Sequence, residues 1–251
     1  MNGTGKKITA YTDLYFNEYN REVKAGNLEF NDSEDDIAFT FFLFDKIVEN
    51  FAAVGQIMTL SEEKGKSYLR NSVYILLRSS LYDSIILMWL FDSTDDIMKT
   101  RARKLRADHI KFHISLMKRM EQLGLLHPDE KEFDLRVINS HFRSLLPEEI
   151  KANLDISKFP KPTSITEMLD ATNKHNDILV NAYKGYFLMS KIEHPGEFTR
   201  MILQTTYHDD NPMDDHLKNA IATVEFAIKL FAPNFFTREE FKNEIMVFRV
   251  V

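Results

Sequence analysis

The 251-residue sequence contains no cysteine, which removes disulfides, thiol nucleophiles and thiolate metal sites together and fits a reducing compartment. Glycine and proline are sparse, at 8 and 7 residues. They fall between long stretches of helical period rather than between short alternating runs, so strands are hard to place. Cations are not in excess: 32 Lys and Arg stand against 38 Asp and Glu, for a formal net charge of −6. Generic attraction to phosphates is therefore not indicated, although a local basic stripe could survive it. The first residues, Met1 to Tyr11, lack the apolar run of a secretory signal, and the expectation is a cytoplasmic protein. No internal repeat or low-complexity tract is present, which disfavours a solenoid.

Fingerprints of bound cofactors are missing too, and none is expected. There is no glycine-rich dinucleotide loop and no Gly-x-Ser-x-Gly elbow. Gly65-Lys66-Ser67 ends like a phosphate loop, but Leu60 occupies the place of its first glycine, and the preceding Ser-Glu-Glu-Lys reads as a helix start.

What remains is ordinary for a globular chain, 44% hydrophobic and 28% charged, at a length that one core supports. A single domain over residues 1–251 is expected. The most apolar stretch, Val73 to Phe91, has the length of a membrane span but is interrupted by Arg78, Asp83 and three serines. A central Arg or Asp costs about 2.5–3.5 kcal/mol on insertion, so this segment reads as a buried helix and no membrane partner is expected.

Helical punctuation divides the chain. A first helix carries Tyr11, Leu14, Tyr15 and Val23 and ends near Gly26; a second, capped by Asp32 to Asp36, runs through Phe41, Phe44, Ile47, Val48 and Phe51 to Gly55. Thr59-x-x-Glu62 has the form of a capping box and predicts a third helix unbroken to Phe91. After Asp92-Ser93-Thr94 a fourth reads to Leu123, with Gly124 as its stop. These two predict an antiparallel hairpin over residues 59–123 with arms ~45 Å long. A fifth helix follows Pro128 and stops before Pro147, Phe159-Pro160-Lys161-Pro162 is non-helical, and helices resume at Ser164. The next ends at His194-Pro195-Gly196, another covers Leu217 to Phe231, and Thr237-x-x-Glu240 opens the last. The expected fold is all-α: an up-and-down bundle built on that hairpin, with the helices of 163–251 packed on it.

Each cluster of reactive side chains has a plain reading beside a chemical one. His109 and His113 share a helix face at i, i+4, but Ile110 stands where a zinc protease places its base, and a solvated face beside Arg103, Arg106 and Lys111 accounts for them. His208 to His216 is dense in oxygen and imidazole groups that could hold a divalent cation, yet carboxylates are expected there because a helix follows. No metal site is assigned. Arg78 lies within an apolar stretch, where a charge must be paired or reach water along its stem. Asp83, five residues on, lies ~140° around the helix and is not its partner, whereas Tyr82 shares its face. Tyr186, Ser190 and His194 form a polar line at i, i+4, i+8 that could bind an anion, move a proton or form a seam between helices.

Two resemblances follow. Arg136-x4-His141 resembles the catalytic pair of the HEPN family of helical nucleases and toxins, with Val137 where a polar residue is usual; a solvated helix face also fits. That resemblance implies ribonuclease or defence-toxin activity in a homodimer. The second rests on Arg78 in a long apolar helix, on Arg101, Arg103 and Arg106 in the next, and on the later Tyr-x3-Ser-x3-His-Pro. Over Tyr68 to Gly196 these resemble an uncharacterised family of bacterial helical proteins with Arg-x3-Glu and Tyr-x2/3-Ser-x3-His motifs; Tyr82 stands at its Glu. The resemblance implies site residues Arg78, Tyr186, Ser190 and His194 and brings no function. Three readings stand at this point: a polar pocket of Arg78, Tyr82, Tyr186, Ser190 and His194 for a small ligand or partner, a HEPN-like ribonuclease, and a scaffold presenting Phe39, Phe41, Phe42 and Phe44.

Overall fold

Apolar residues recurring every three to four positions give helices, and no strand occurs among the described residues. The computed structural model describes residues 3–26, 36–64, 70–138, 159, 161–172, 176–193 and 213–236. Among these the elements are α1 (Thr4–Lys24), α2 (Asp36–Lys64), α3 (Arg70–Phe91), α4 (Asp95–Gln122), α5 (Pro128–Val137), α6 (Ile165–Asp170), α7 (Asn176–Glu193) and α8 (Met213–Phe235). The all-α expectation holds. The predicted last helix from Thr237 lies outside the described residues.

Local chemistry sets several helix ends. α1 stops at Ala25, and Gly26 takes the left-handed turn at φ 74°. At the end of α4 the Gly124 N–H donates to Glu121 O (3.0 Å) and the Leu125 N–H to Met120 O (2.9 Å), the paired bonds of a Schellman motif, with Gly124 at φ 68°. Pro128 opens α5, where its missing N–H leaves nothing unsatisfied. α6 opens on a reciprocal capping box. The Glu167 N–H donates to Ser164 Oγ (3.2 Å) and the Ser164 N–H to Glu167 Oε2 (2.7 Å), and the bond from the Ser164 N–H holds the Glu167 carboxyl below the usual carboxylate range.

One predicted boundary is wrong. α2 does not end at Gly55; it continues to Lys64, and Thr59 Oγ1 donates back to Gly55 O (2.9 Å) as an interior helical residue. Gly55 is there for packing. A Cβ on it would stand 2.8 Å from Ile8 Cγ2 and 3.0 Å from Thr9 N, and a Cβ on Gly5 would stand 2.4 Å from Thr59 N. Two glycines therefore let α1 and α2 approach to near backbone contact. Glu62, predicted to complete a capping box, instead accepts the N–H of Gly3 (3.0 Å) at the start of α1. The helix predicted from Thr59 changes accordingly: α3 has 22 residues and α4 has 28.

The chain groups into two compact units, one of Met1–Glu29, Phe41–Trp89 and Leu169–Val251, the other of Phe30–Thr40 and Leu90–Met168. In the first, α1 turns Ile8, Tyr11 and Tyr15 inward and α2 turns Phe41, Phe44, Ile47, Val48 and Phe51 inward, all buried. The Tyr15 ring meets Phe44 and Phe236 edge-on at 5.5 and 5.4 Å, Tyr19 stacks on Phe41 at 5.9 Å, and Phe44 stacks on Phe235 at 5.0 Å. Each such pair contributes about 0.5–1.5 kcal/mol beyond the area it buries. Of the aromatic face considered for a scaffold, Phe41 and Phe44 are thus core, Phe39 is half-buried and Phe42 is exposed. α7 packs on α8.

α3 is long and apolar enough over Asn71–Phe91 to cross a membrane, but 72% of its most apolar window is buried inside the protein, as expected of a core helix. In the second unit α4 turns Ala107, Ile110 and Ile114 against Ile138 and Phe159. Phe159, next to Pro160, is a bend residue whose ring is core.

Candidate functional site

Three polar side chains of α3 are satisfied in ways that leave its apolar face intact. Ser80 Oγ donates to Leu76 O (3.1 Å) and Ser84 Oγ to Ser80 O (2.6 Å), so both hydroxyls fold back onto their own helix. Asp83 is buried and pairs with Lys46 of α2, Nζ to Oδ2 at 2.7 Å. The sequence reading excluded Asp83 as the partner of Arg78, and the carboxylate does face a different helix.

Arg78 and Tyr82, one turn apart on the half-buried side of α3, meet α7. The approach is set by Gly185, where a Cβ would stand 2.9 Å from Leu81 Cδ1 and 3.9 Å from Ala220 Cβ. Tyr186 follows directly. Its ring lies under the Arg78 guanidinium, 5.3 Å from Cζ to centroid, and against the Tyr82 ring at 5.7 Å with the planes tilted 34°. A cation over a tyrosine face contributes about 0.5–1 kcal/mol in the open and ~2 when desolvated. Three of the five proposed site residues are therefore in one cluster. Ser190, a turn beyond Tyr186, gives its hydroxyl proton to Phe187 O at 2.6 Å. His194 lies outside the described residues.

The other candidates are distributed differently. Arg136 is exposed at the end of α5, 3.9 Å from Glu132, and His141 lies outside the described residues. His109 and His113 are both exposed, and the His109 ring meets Phe39 edge-on at 6.3 Å. In the acidic segment before α8, residues 208–212 lie outside the described residues; Asp215 and His216 are exposed in the first turns of α8, and Asp215 is 3.3 Å from Lys218. Among the described residues no group of three or more His, Asp and Glu is placed to hold a metal ion. A shallow groove of about 520 Å³ between α1 and α2, with Lys6, Asp13 and Gln56 in its lining, includes none of the candidate site residues.

Sequence reasoning missed the polar pairs inside the first unit. Tyr15 donates its hydroxyl to Asp45 Oδ1 (2.8 Å). Burial pushes the Asp45 carboxyl up and the tyrosine bond pulls it back, while burial together with the Asp45 charge pushes the Tyr15 phenol well above its ordinary value. Glu225 and Lys229 pair along α8, and the Lys229 ammonium sits 5.8 Å from the centre of the Tyr11 ring. Burial, then the Glu225 charge, raises the Tyr11 phenol. On α1, Arg21 bonds the buried Glu18 and lies 3.3 Å from Glu22. The available signal was a charge within an apolar repeat, as in Phe44-Asp45-Lys46-Ile47 and Val224-Glu225-Phe226-Ala227.

No family model matches the chain, no curated protein matches it, and no solved structure matches it.

Proposed function

We propose that the protein is a binding module whose recognition site is the Arg78–Tyr82–Tyr186 cluster between α3 and α7, taking a small anionic ligand or an acidic group of a partner. The observation that supports this is the guanidinium held over the Tyr186 ring beside Tyr82. Stacking fixes the position of a guanidinium while its five N–H donors, arranged in a planar fork, match carboxylate or phosphate oxygens. Two phenolic hydroxyls close by add a donor and acceptor each. The site's half-buried position strengthens such contacts relative to open water.

The test is a thermal-shift panel of phosphate-, carboxylate- and nucleotide-bearing compounds on the wild-type chain and on Arg78→Ala and Arg78→Lys. At least one class is expected to raise the wild-type midpoint in a concentration-dependent way. Arg78→Ala is expected to lose the response and Arg78→Lys to weaken it, because a lysine lacks the planar fork. A panel without effect on the wild type, or an effect that survives Arg78→Ala, contradicts the proposal. An RNA-cleavage assay on the wild-type and Arg136→Ala chains separates it from the HEPN resemblance, under which cleavage is present and lost in the variant.

A further inference from the structure

The rings at the proposed site do not end at Tyr186. At 100° per residue Tyr183 lies ~60° from Tyr186 around α7, and Phe187 lies ~40° beyond Tyr183, so the three occupy one ~100° arc. Side chains three or four residues apart on a helix have Cβ atoms about 5–6 Å apart, which makes Tyr183 the neighbour of both. Its ring meets that of Phe187 with centres 6.4 Å apart and planes tilted 38°. At the other end Tyr82 of α3 meets Tyr186 at 5.7 Å, and the Arg78 guanidinium stands over the Tyr186 ring.

Exposure rises along this series. Tyr82, Tyr186 and Tyr183 are half-buried, whereas Phe187 is 52% exposed. Leu179 begins the same arc and is buried, and Ser190, also within it, has its hydroxyl turned onto Phe187 O. The charged side chains described on α3 and α7 are Arg78, Asp83 and Lys184. Asp83 is committed to Lys46 of α2, and Lys184 is exposed ~60° beyond Phe187. Among the described side chains of these two helices, no carboxylate therefore competes for an anion beside the rings.

We infer that the ligand of this site is an aryl anion: a carboxylate or phosphate joined by a short linker to a planar aromatic ring. The anion pairs with Arg78, and the ring lies on Tyr183 and Phe187. This rests on the reading of the Arg78 cluster as an anion site and narrows it. A single fixed cation beside a mainly apolar, ring-lined surface is the usual make-up of a small-molecule site, where the polar group sets orientation and the apolar wall supplies contact. Ring on ring adds attraction beyond the area covered, which a saturated group of the same size does not gain. Nucleic acid is a poorer occupant, because its affinity comes from many cations neutralising successive phosphates and here the described cation at the rings is Arg78 alone.

The experiment is calorimetric titration of the full chain with two matched pairs of probes: benzyl phosphate against cyclohexylmethyl phosphate, and 3-phenylpropionate against 3-cyclohexylpropionate. Within at least one pair the aryl anion is expected to bind the wild type about two- to tenfold more tightly than its saturated counterpart. Arg78→Ala is expected to lose both members of that pair. Tyr183→Leu with Phe187→Leu keeps apolar bulk but removes the rings, and is expected to abolish the aryl preference while the saturated anion still binds, which a misfolded variant would not do. Equal binding of aryl and saturated anions, both lost in Arg78→Ala, overturns the inference and leaves the anion site standing. An aryl preference that survives the double leucine variant also overturns it, since the ring then lies elsewhere. If no probe binds the wild type, or binding survives Arg78→Ala, the anion site itself falls and the inference falls with it.

Discussion

A Cβ on Gly5 would stand 2.4 Å from the backbone nitrogen of Thr59 and 2.8 Å from the carbonyl oxygen of Gly55, and neither backbone atom can move aside as a side chain can. Alanine normally gains about 1 kcal/mol over glycine inside a helix. Here the clash outweighs that gain, and Gly5→Ala is expected to destabilise by roughly 1–3 kcal/mol. Gly124→Ala meets nothing within 4 Å, so only its positive φ acts against it, at about 1 kcal/mol. Urea unfolding of the two variants should rank them in that order; the reverse ranking would remove close packing as the reason for Gly5. The same comparison explains why Gly26 and Gly124 were legible in the sequence and Gly55 was not. A glycine that ends a helix falls at a break in the apolar period. A glycine that admits another helix carries no mark of its neighbour, which is some fifty residues away in sequence.

At the scale of elements, α2 is held by two adjacent polar residues that face different helices: Asp45 accepts from Tyr15 of α1, and Lys46 pairs with Asp83 of α3. Asp83 is buried whereas half of the Lys46 side chain is exposed, so removing the lysine leaves a carboxylate in the core with one cation fewer. Lys46→Met is expected to lower stability by about 1–3 kcal/mol, discounted from a fully buried pair for the solvent around the ammonium. Adding Asp83→Asn should restore part of that loss, because the neutral amide no longer requires the charge. A double-mutant cycle measures this, and additive losses would show that the pair is not coupled. Helix content, most ends and the buried face of α2 were readable from period and caps. For Arg78 the sequence called for a partner or a path to water along its stem, but that Tyr186 of α7 meets it depended on the packing that Gly185 permits. Tyr186 was placed in one pocket with Arg78 by resemblance, while its spacing alone grouped it with Ser190 and His194 along its own helix.

For the molecule as a whole, the buried phenols set an upper pH limit. Tyr11 and Tyr15 both have pKa values raised on folding, so each holds its proton in the native state at a pH where an unfolded phenol, near 10, has lost it. The unfolded state then binds fewer protons, and stability present below about pH 10 is lost as pH rises beyond it. Asp45, also raised on folding, acts in the same sense at the acidic end: its penalty is absent when protonated and appears as pH rises through the carboxylate range. Glu167, lowered on folding, opposes it and loses its contribution on acidification. Unfolding free energies measured by urea between about pH 8 and 11 should fall steeply above 10, and less steeply in Tyr15→Phe. Equal slopes would mean that Tyr15 is ionised in the folded protein. At this scale the sequence was least informative. Nothing in composition marks the two compact units, because their boundaries at Thr40/Phe41 and Trp89/Leu90 fall inside α2 and α3.

The adjacency of Asp45 and Lys46 also bears on how this chain can tolerate changes in length. Each inserted or deleted residue turns everything after it by about 100°. Inside α2, between this pair and Gly55, a single-residue indel would leave the pair aligned and swing the glycine away from α1, or the reverse. The ten-residue interval from Asp45 to Gly55 is thus a fixed rotational phase, and within it substitutions are admissible where insertions and deletions are not.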